Sequence, residues 1–381
     1  MAAQPGRARG TAQLHHLSHG TDRPTLIRRM AGRLRRPVGN GACQRPHRKD
    51  QTMAVEVAVM FGGGGALGAF GCGVWQALAP RLRHARIVGA GGTSIGAINA
   101  AFVARHGVDV EAGADAMQAL WRQDIATPSV PFLGLSGQRD VQGWNGFLTG
   151  LLVGTRGLQR PQFPHWNPLT GLDRLHHPVM DRSRMWALLG ERLGAFNTSS
   201  AHDPVLGAAA VDVMSGKLRL FDSVQGAVEV AHLCASAAIP LLYEPVTIDD
   251  RLYWDGDMTH EAALPLFLAT LRATGRLQHG RPRDTTTLLI TIDQMSESID
   301  RLPASGIEMA YRALDLLMHG KMALLPDQRE GLTHVLAIRR RPLPHDGISG
   351  QFDYSPERVA ELIEQGMAQA EEAWNEAGIP E

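Results

Sequence analysis

Cysteine is scarce in this chain. Cys43, Cys72 and Cys234 are the only three in 381 residues, and their spacing suits neither a disulfide framework nor a metal site. Such usage points to a reducing compartment, and so to a cytoplasmic setting. Net charge is missing too: 38 Lys and Arg balance 38 Asp and Glu, which argues against nucleic acid as a partner. No apolar run follows the early arginines, so a secretory signal is not expected. Val57–Pro80 and Ile87–Ala104 lack charge over 24 and 18 residues. Both are rejected as membrane spans. The first carries seven glycines and the second is broken by Gly-Gly-Thr-Ser, both costly in a helix facing lipid. Internal repeats and low-complexity tracts are absent as well.

The charge balance hides an asymmetry. Residues 1–52 hold eleven Lys and Arg but only Asp22 and Asp50, while the remainder holds 27 basic and 36 acidic residues. Residues 1–52 read as a disordered basic leader, or as a translated stretch before a true start at Met53. A transit peptide or a membrane-surface tail is the sharper alternative.

Beyond Met53 the pattern is strand, turn, helix, twice over. Ala54–Met60 reads as a strand, followed by Gly62-Gly63-Gly64-Gly65-Ala66-Leu67-Gly68 and a helix to about Leu78. Arg86–Ala90 reads as a second strand, followed by Gly92-Thr93-Ser94-Ile95-Gly96 and a helix to about His106. Such repetition implies a parallel sheet covered by helices. Further strands are expected at Leu206–Val213, Lys217–Phe221, Thr285–Asp293 and His334–Ile338. A last helix follows Ser355, with Val359, Leu362, Ile363 and Met367 on one face. Residues 124–180 mix Gly and Pro with Phe132, Trp144, Phe147, Leu148, Leu151, Leu152, Phe163 and Trp166. They read as a structureless excursion that covers or flanks a site, with packing elsewhere as the plainer alternative.

Two segments carry chemistry. A G-x-S-x-G turn lifts a serine hydroxyl above a strand end, with small neighbours at Gly92 and Gly96 to avoid collisions. The glycines Gly62, Gly63, Gly64 and Gly65, opening a helix, present bare backbone N–H groups that can stabilise an oxyanion. Together they read as acyl transfer. The same glycine run fits a dinucleotide fingerprint, which needs an acidic residue about twenty positions on. No Asp or Glu lies between Glu56 and Asp109, so no nucleotide cofactor is expected. No Gly-Lys-Ser/Thr follows, which removes a phosphate-binding P-loop. The pairs His15-His16 and His176-His177 lack further ligands at metal-like spacing, so no metal is expected. For the base that a serine nucleophile needs, two choices stay open. One is a triad histidine, from His260, His319, His334 or His345. The other is Asp255, where a short apolar run ends in Asp-Gly.

From about Val55 to Pro265 the chain resembles the patatin-like phospholipase family. Three blocks match in order: Gly62–Phe70 with Gly73-Val74; Gly92–Ala100; and Ala235-Ser236-Ala237-Ala238-Ile239-Pro240, then Pro245-Val246, then Tyr253-Trp254-Asp255-Gly256. The resemblance implies a three-layer α/β/α fold with a mainly parallel sheet and a Ser94–Asp255 dyad without a cofactor. It implies a lipid ester as substrate, and the aromatic excursion at 124–180 adds acyl-chain or peripheral membrane contact as an expectation, with core packing as the duller alternative. It divides the chain into a catalytic domain at 53–270, in which 124–180 would be lid-like, and a C-terminal α/β extension at 271–381 packed on it. Two departures stand out. Leu67 occupies a position where many bacterial members carry Arg or Lys, and Asp257 stands where Gly or Ala is usual. A second carboxylate there would raise the pKa of Asp255 unless it faced solvent. An impaired member that binds lipid or a partner without turnover is the rival reading, and a Ser-His-Asp esterase the third.

Overall fold

Alternation along β1 (Ala54–Phe61) decides the architecture. Val57, Val59 and Phe61 enter one apolar core, Ala58 and Met60 another. Successive side chains of a strand point to opposite faces, so a strand buried on both sides belongs to the middle of three layers. The computed structural model describes residues 54–134, 138–162, 179–277, 285–295, 298–299, 302–303, 305–318, 320–343, 346 and 350–379. Residues 1–52, Phe163, Trp166, both histidine pairs, His319 and His345 lie outside the described residues.

The strands continue with β2 (Arg86–Thr93), β3 (Arg160–Pro161), β4 (Met180–Asp181), β5 (Val205–Asp212), β6 (Leu218–Asp222), β7 (Val246–Ile248), β8 (Arg251–Asp255), β9 (Thr285–Asp293) and β10 (His334–Arg339). β10, β9, β1, β2 and β5 run parallel in that order. β6 and β8 pair antiparallel with β5, and β7 with β8. The helices are α1 (Gly68–Leu78), α2 (Ile95–Arg105), α3 (Val110–Ala119), α4 (Arg139–Leu152), α5 (Ser183–Arg192), α6 (Val230–Ser236), α7 (Ala263–Ala273), α8 (Gly306–Met318) and α9 (Pro356–Ala377). Helices α1, α2, α3 and α9 cover one face of the sheet and α7 the other. The fold is a three-layer α/β/α sandwich on a mostly parallel sheet. The expected strands all form, and β2 runs on through its glycines to Thr93.

Two expectations need correction. The stretch 124–180 is not structureless where it is described, because α4 lies inside it. Its glycines are packing positions. A β-carbon at Gly146 would sit 2.0 Å from Asp353 Oδ1, and one at Gly150 2.2 Å from the Phe352 carbonyl oxygen. Trp144 and Phe147 pack edge to face, with centroids 5.9 Å apart, and Phe147 is buried. In α9, Ser355 caps the first turn by accepting from the Arg358 N–H, a contact of about 1 kcal/mol. Val359, Leu362 and Ile363 are buried as expected, but Met367 is 37% exposed. The buried stripe continues through Gly366, Ala370 and Trp374 instead. α9 lies directly on α1, since a β-carbon at Gly73 would come 2.0 Å from the Ile363 oxygen and one at Gly366 2.1 Å from the Phe70 oxygen.

Candidate active site

A strand has two edges, and β5 uses one of them twice. Gly207, Ala208 and Ala209 pair with β2 on one side and β6 on the other. Ala210 and Val211 pair with β6 and with β8, so β8 must share the edge that β2 occupies. Thr93 is registered against Ala209 and Asp255 against Ala210. Strands β2 and β8 therefore meet end to end from opposite directions, which brings Ser94 and Asp255 together. The turn after Asp255 stacks on the end of β2: a β-carbon at Gly256 would lie 2.6 Å from Thr93 Cγ2.

Ser94 links β2 to α2 in a strained conformation, with φ 55° and ψ −132°, a region costly for a residue with a side chain. Its backbone N–H donates to Ser236 Oγ at 2.9 Å. The turn closes because Gly92 and Gly96 have no side chains. A β-carbon on Gly92 would sit 2.3 Å from the Gly96 carbonyl, and one on Gly96 2.3 Å from the Gly62 oxygen.

The glycine turn is held at both ends and left open in the middle. The Gly62 N–H donates to the Ile292 oxygen at 2.8 Å, and the Gly62 oxygen accepts from Gln294 Nε2. At the other end the Ala66 N–H donates to the Gln351 oxygen at 2.8 Å. Gly64 and Gly65 have φ of 142° and 55°, conformations that glycine adopts at little cost. Among the described residues, the N–H groups of Gly63, Gly64 and Gly65 donate to no acceptor. Gly62 thus differs from the other three, its N–H being committed to the sheet. A β-carbon at Gly63 would lie 3.1 Å from Ser94 Cβ, so the open part of the turn adjoins the serine. Two buried side chains brace it from behind: Asn99 Nδ2 donates to the Gly68 oxygen at 2.9 Å, and Trp121 Nε1 to Asn99 Oδ1 at 3.0 Å.

Asp255 is fully buried. Oδ1 accepts the Asp257 N–H at 2.9 Å, and Oδ2 makes no hydrogen bond among the described residues. Burial first, and the Asp257 charge second, push its pKa up to about 7, against the pull of the Asp257 N–H, the Ser94 hydroxyl and Lys321. Asp257 turns inward and does not face solvent. Burial raises its pKa as well, while Lys321 opposes the rise and Asp293 adds to it. Lys321 Nζ donates to the Asp257 carbonyl oxygen at 2.6 Å and lies 3.6 Å from Oδ1.

Of the candidate histidines described, His260 is exposed and His334 opens β10, at the end of the parallel sheet away from Ser94. Ser236, Asn99, Trp121, Gln294 and Lys321 were not singled out from sequence. Ser236 and Asn99 stand inside the matching blocks, but nothing in their spacing signals a role. Gln294 and Lys321 lie beyond the matching blocks.

The sequence matches the family model for patatin-like phospholipases over residues 59–265. A comparison with curated proteins gives no match. Among solved structures, VipD from Legionella pneumophila is 13% identical, with 84% of this chain and 67% of that one covered at a TM-score of 0.36. ExoU, in its heterodimeric complex with SpcU from the type III secretion system of Pseudomonas aeruginosa, is 14% identical, with 85% and 52% covered at a TM-score of 0.31. A second structure of the type III effector ExoU gives 16% identity, 85% and 53% coverage and a TM-score of 0.33. The chain spans about half the length of those ExoU chains. With more than half its length matched, from the end of β1 to the start of α7, the chain belongs to the patatin-like phospholipase family.

Proposed function

We propose that this protein is a serine acyl hydrolase of lipid carboxylic esters, with Ser94 as nucleophile and Asp255 as its base. The observation that carries the reading is the end-to-end meeting of β2 and β8 on one edge of β5, which sets a buried carboxylate beside a strained serine.

Asp255 Oδ2 accepts the Ser94 proton as Oγ attacks the ester carbonyl. The N–H groups of Gly63, Gly64 and Gly65 receive the oxyanion, and the N-terminus of α1 adds its dipole. Asp255 returns the proton to the leaving alcohol. Water, deprotonated by the same carboxylate, then displaces the acyl group as a carboxylic acid, and Asp255 hands that proton back to Ser94 Oγ. An ordinary carboxylate near pKa 4 is a weak base at neutral pH. Raised to about 7, Asp255 is better matched to the task. The catalytic unit extends past residue 270, because Gln294 and Gln351 hold the glycine turn at its two ends. Phe132 and Leu133, 43% and 54% exposed on the 124–180 excursion, are assigned to the lipid surface.

The test is labelling by a fluorophosphonate, read by intact mass, on wild type, Ser94→Ala, Asp255→Asn and a His260→Ala control. An adduct on Ser94, lost in the first two variants and kept in the third, supports the dyad. Retained labelling in Asp255→Asn would assign the base to a histidine. No adduct on wild type would replace the enzyme with a binding module.

A further inference from the structure

Three carboxyls and one ammonium crowd the space behind the nucleophile. Asp255 ends β8, Asp257 follows two residues later, and Asp293 ends β9. Lys321, in the turn after α8, reaches across with a side chain only 11% exposed. Arg182 and Tyr243 also interact electrostatically with Asp255. Arg182 is already committed to the carbonyl oxygens of Cys234, Ala237 and Glu244.

Asp257 has no part in the mechanism above, yet its burial is costly. Its Oδ2 makes no hydrogen bond among the described residues, and a β-carbon on Gly63 would lie only 2.0 Å from that atom. Its backbone N–H occupies Asp255 Oδ1, leaving Oδ2 for the serine. Lys321 makes its shorter contact to the Asp257 carbonyl and stands farther from the carboxylate. It therefore fixes the turn while neutralising the second charge only in part. A buried carboxylate held against another makes the first harder to ionise.

We propose that Asp257 and Lys321 form a tuning pair: the Asp257 carboxylate, anchored by Lys321, sets the basicity of Asp255 and so the pH at which Ser94 becomes reactive. Both are positioning residues, and the inference rests on Asp255 being the base. Removing the negative charge makes Asp255 ionise more easily. Removing the positive one makes the whole acidic cluster hold its protons more tightly. The two substitutions thus act in opposite directions, which a general loosening of the site does not produce.

The experiment is the rate of fluorophosphonate labelling of Ser94 between about pH 4.5 and 9, for wild type, Asp257→Asn, Lys321→Met and Lys321→Arg. The acid limb of Asp257→Asn should fall by about one pH unit or more, and its plateau rate should drop because the base is weaker. Lys321→Met should move the limb upward, and Lys321→Arg, which keeps the charge, should return it towards the wild-type position. Limbs that stay in place, or that move the same way in both charge-removing variants, overturn the tuning pair. A wild-type protein that takes no label, or an Asp255→Asn variant that keeps it, overturns the dyad instead.

Discussion

Gly63 and Asp257 are packed so closely that a β-carbon on the glycine would stand 2.0 Å from the carboxylate Oδ2. The obstacle is the end of a side chain, which can swing away, so a substitution there disturbs the site more than the fold. Gly63→Ala keeps its N–H but shifts the turn, and should slow fluorophosphonate labelling by up to about 100- to 1,000-fold, the effect of an oxyanion donor put out of reach. Thermal unfolding measured alongside should change little. Adding Asp257→Gly removes the collision and should recover part of the rate, up to the slower rate of Asp257→Gly alone.

Ser94 holds a conformation that costs a serine more than it costs a glycine. Ser94→Gly should therefore stabilise the fold by about 1–3 kcal/mol while abolishing labelling. Denaturant unfolding of Ser94→Gly against Ser94→Ala isolates the backbone effect, because both lack the hydroxyl. Equal stabilities would show that the turn is unstrained.

Burial of Asp255 makes stability depend on pH with a definite sign. Its folded pKa, about 7, lies above that of an unfolded carboxylate. The native state then binds the extra proton, and that contribution is complete below about pH 4 and lost as pH rises through about 7. Asp255→Asn removes the ionisable group. The variant should gain Tm relative to wild type as pH rises from about 5 to 8, and scanning calorimetry at several pH values would show whether the gap widens.

Phe132 and Leu133 expose large apolar side chains next to α4. If they meet lipid, Phe132→Ser/Leu133→Ser should co-sediment less with phosphatidylcholine vesicles while a water-soluble fluorophosphonate still labels Ser94 at the wild-type rate. Undiminished sedimentation would remove this surface from the lipid contact.

The parts of the site legible in sequence are those built locally. Strand, small-residue turn and helix follow one another within a few residues at Gly62–Gly68 and Gly92–Gly96, so period and glycine content reveal them. Asp255 was legible only through family resemblance, since an Asp-Gly at a strand end is usually a plain turn. Ser236 and Gln294 were not legible at all. They reach Ser94 and Gly62 across 142 and 232 residues, and no local pattern encodes such a meeting. α4 escaped because its glycines look like turn formers and serve as contact points. Met367 was misplaced by one position, where the buried face of α9 passes through Gly366 instead.

The contact of α9 with α1 gives the site a place in time. Domains assemble as the chain leaves the ribosome, N-terminal parts first. Here the glycine turn and the serine emerge early, but Gln351, which holds Ala66, and Gly366, which lies on α1, emerge hundreds of residues later. A nascent chain that stops short of residue 351 lacks both contacts, however long it waits. Whatever chemistry the pocket performs therefore waits on segments that are synthesised after residue 350.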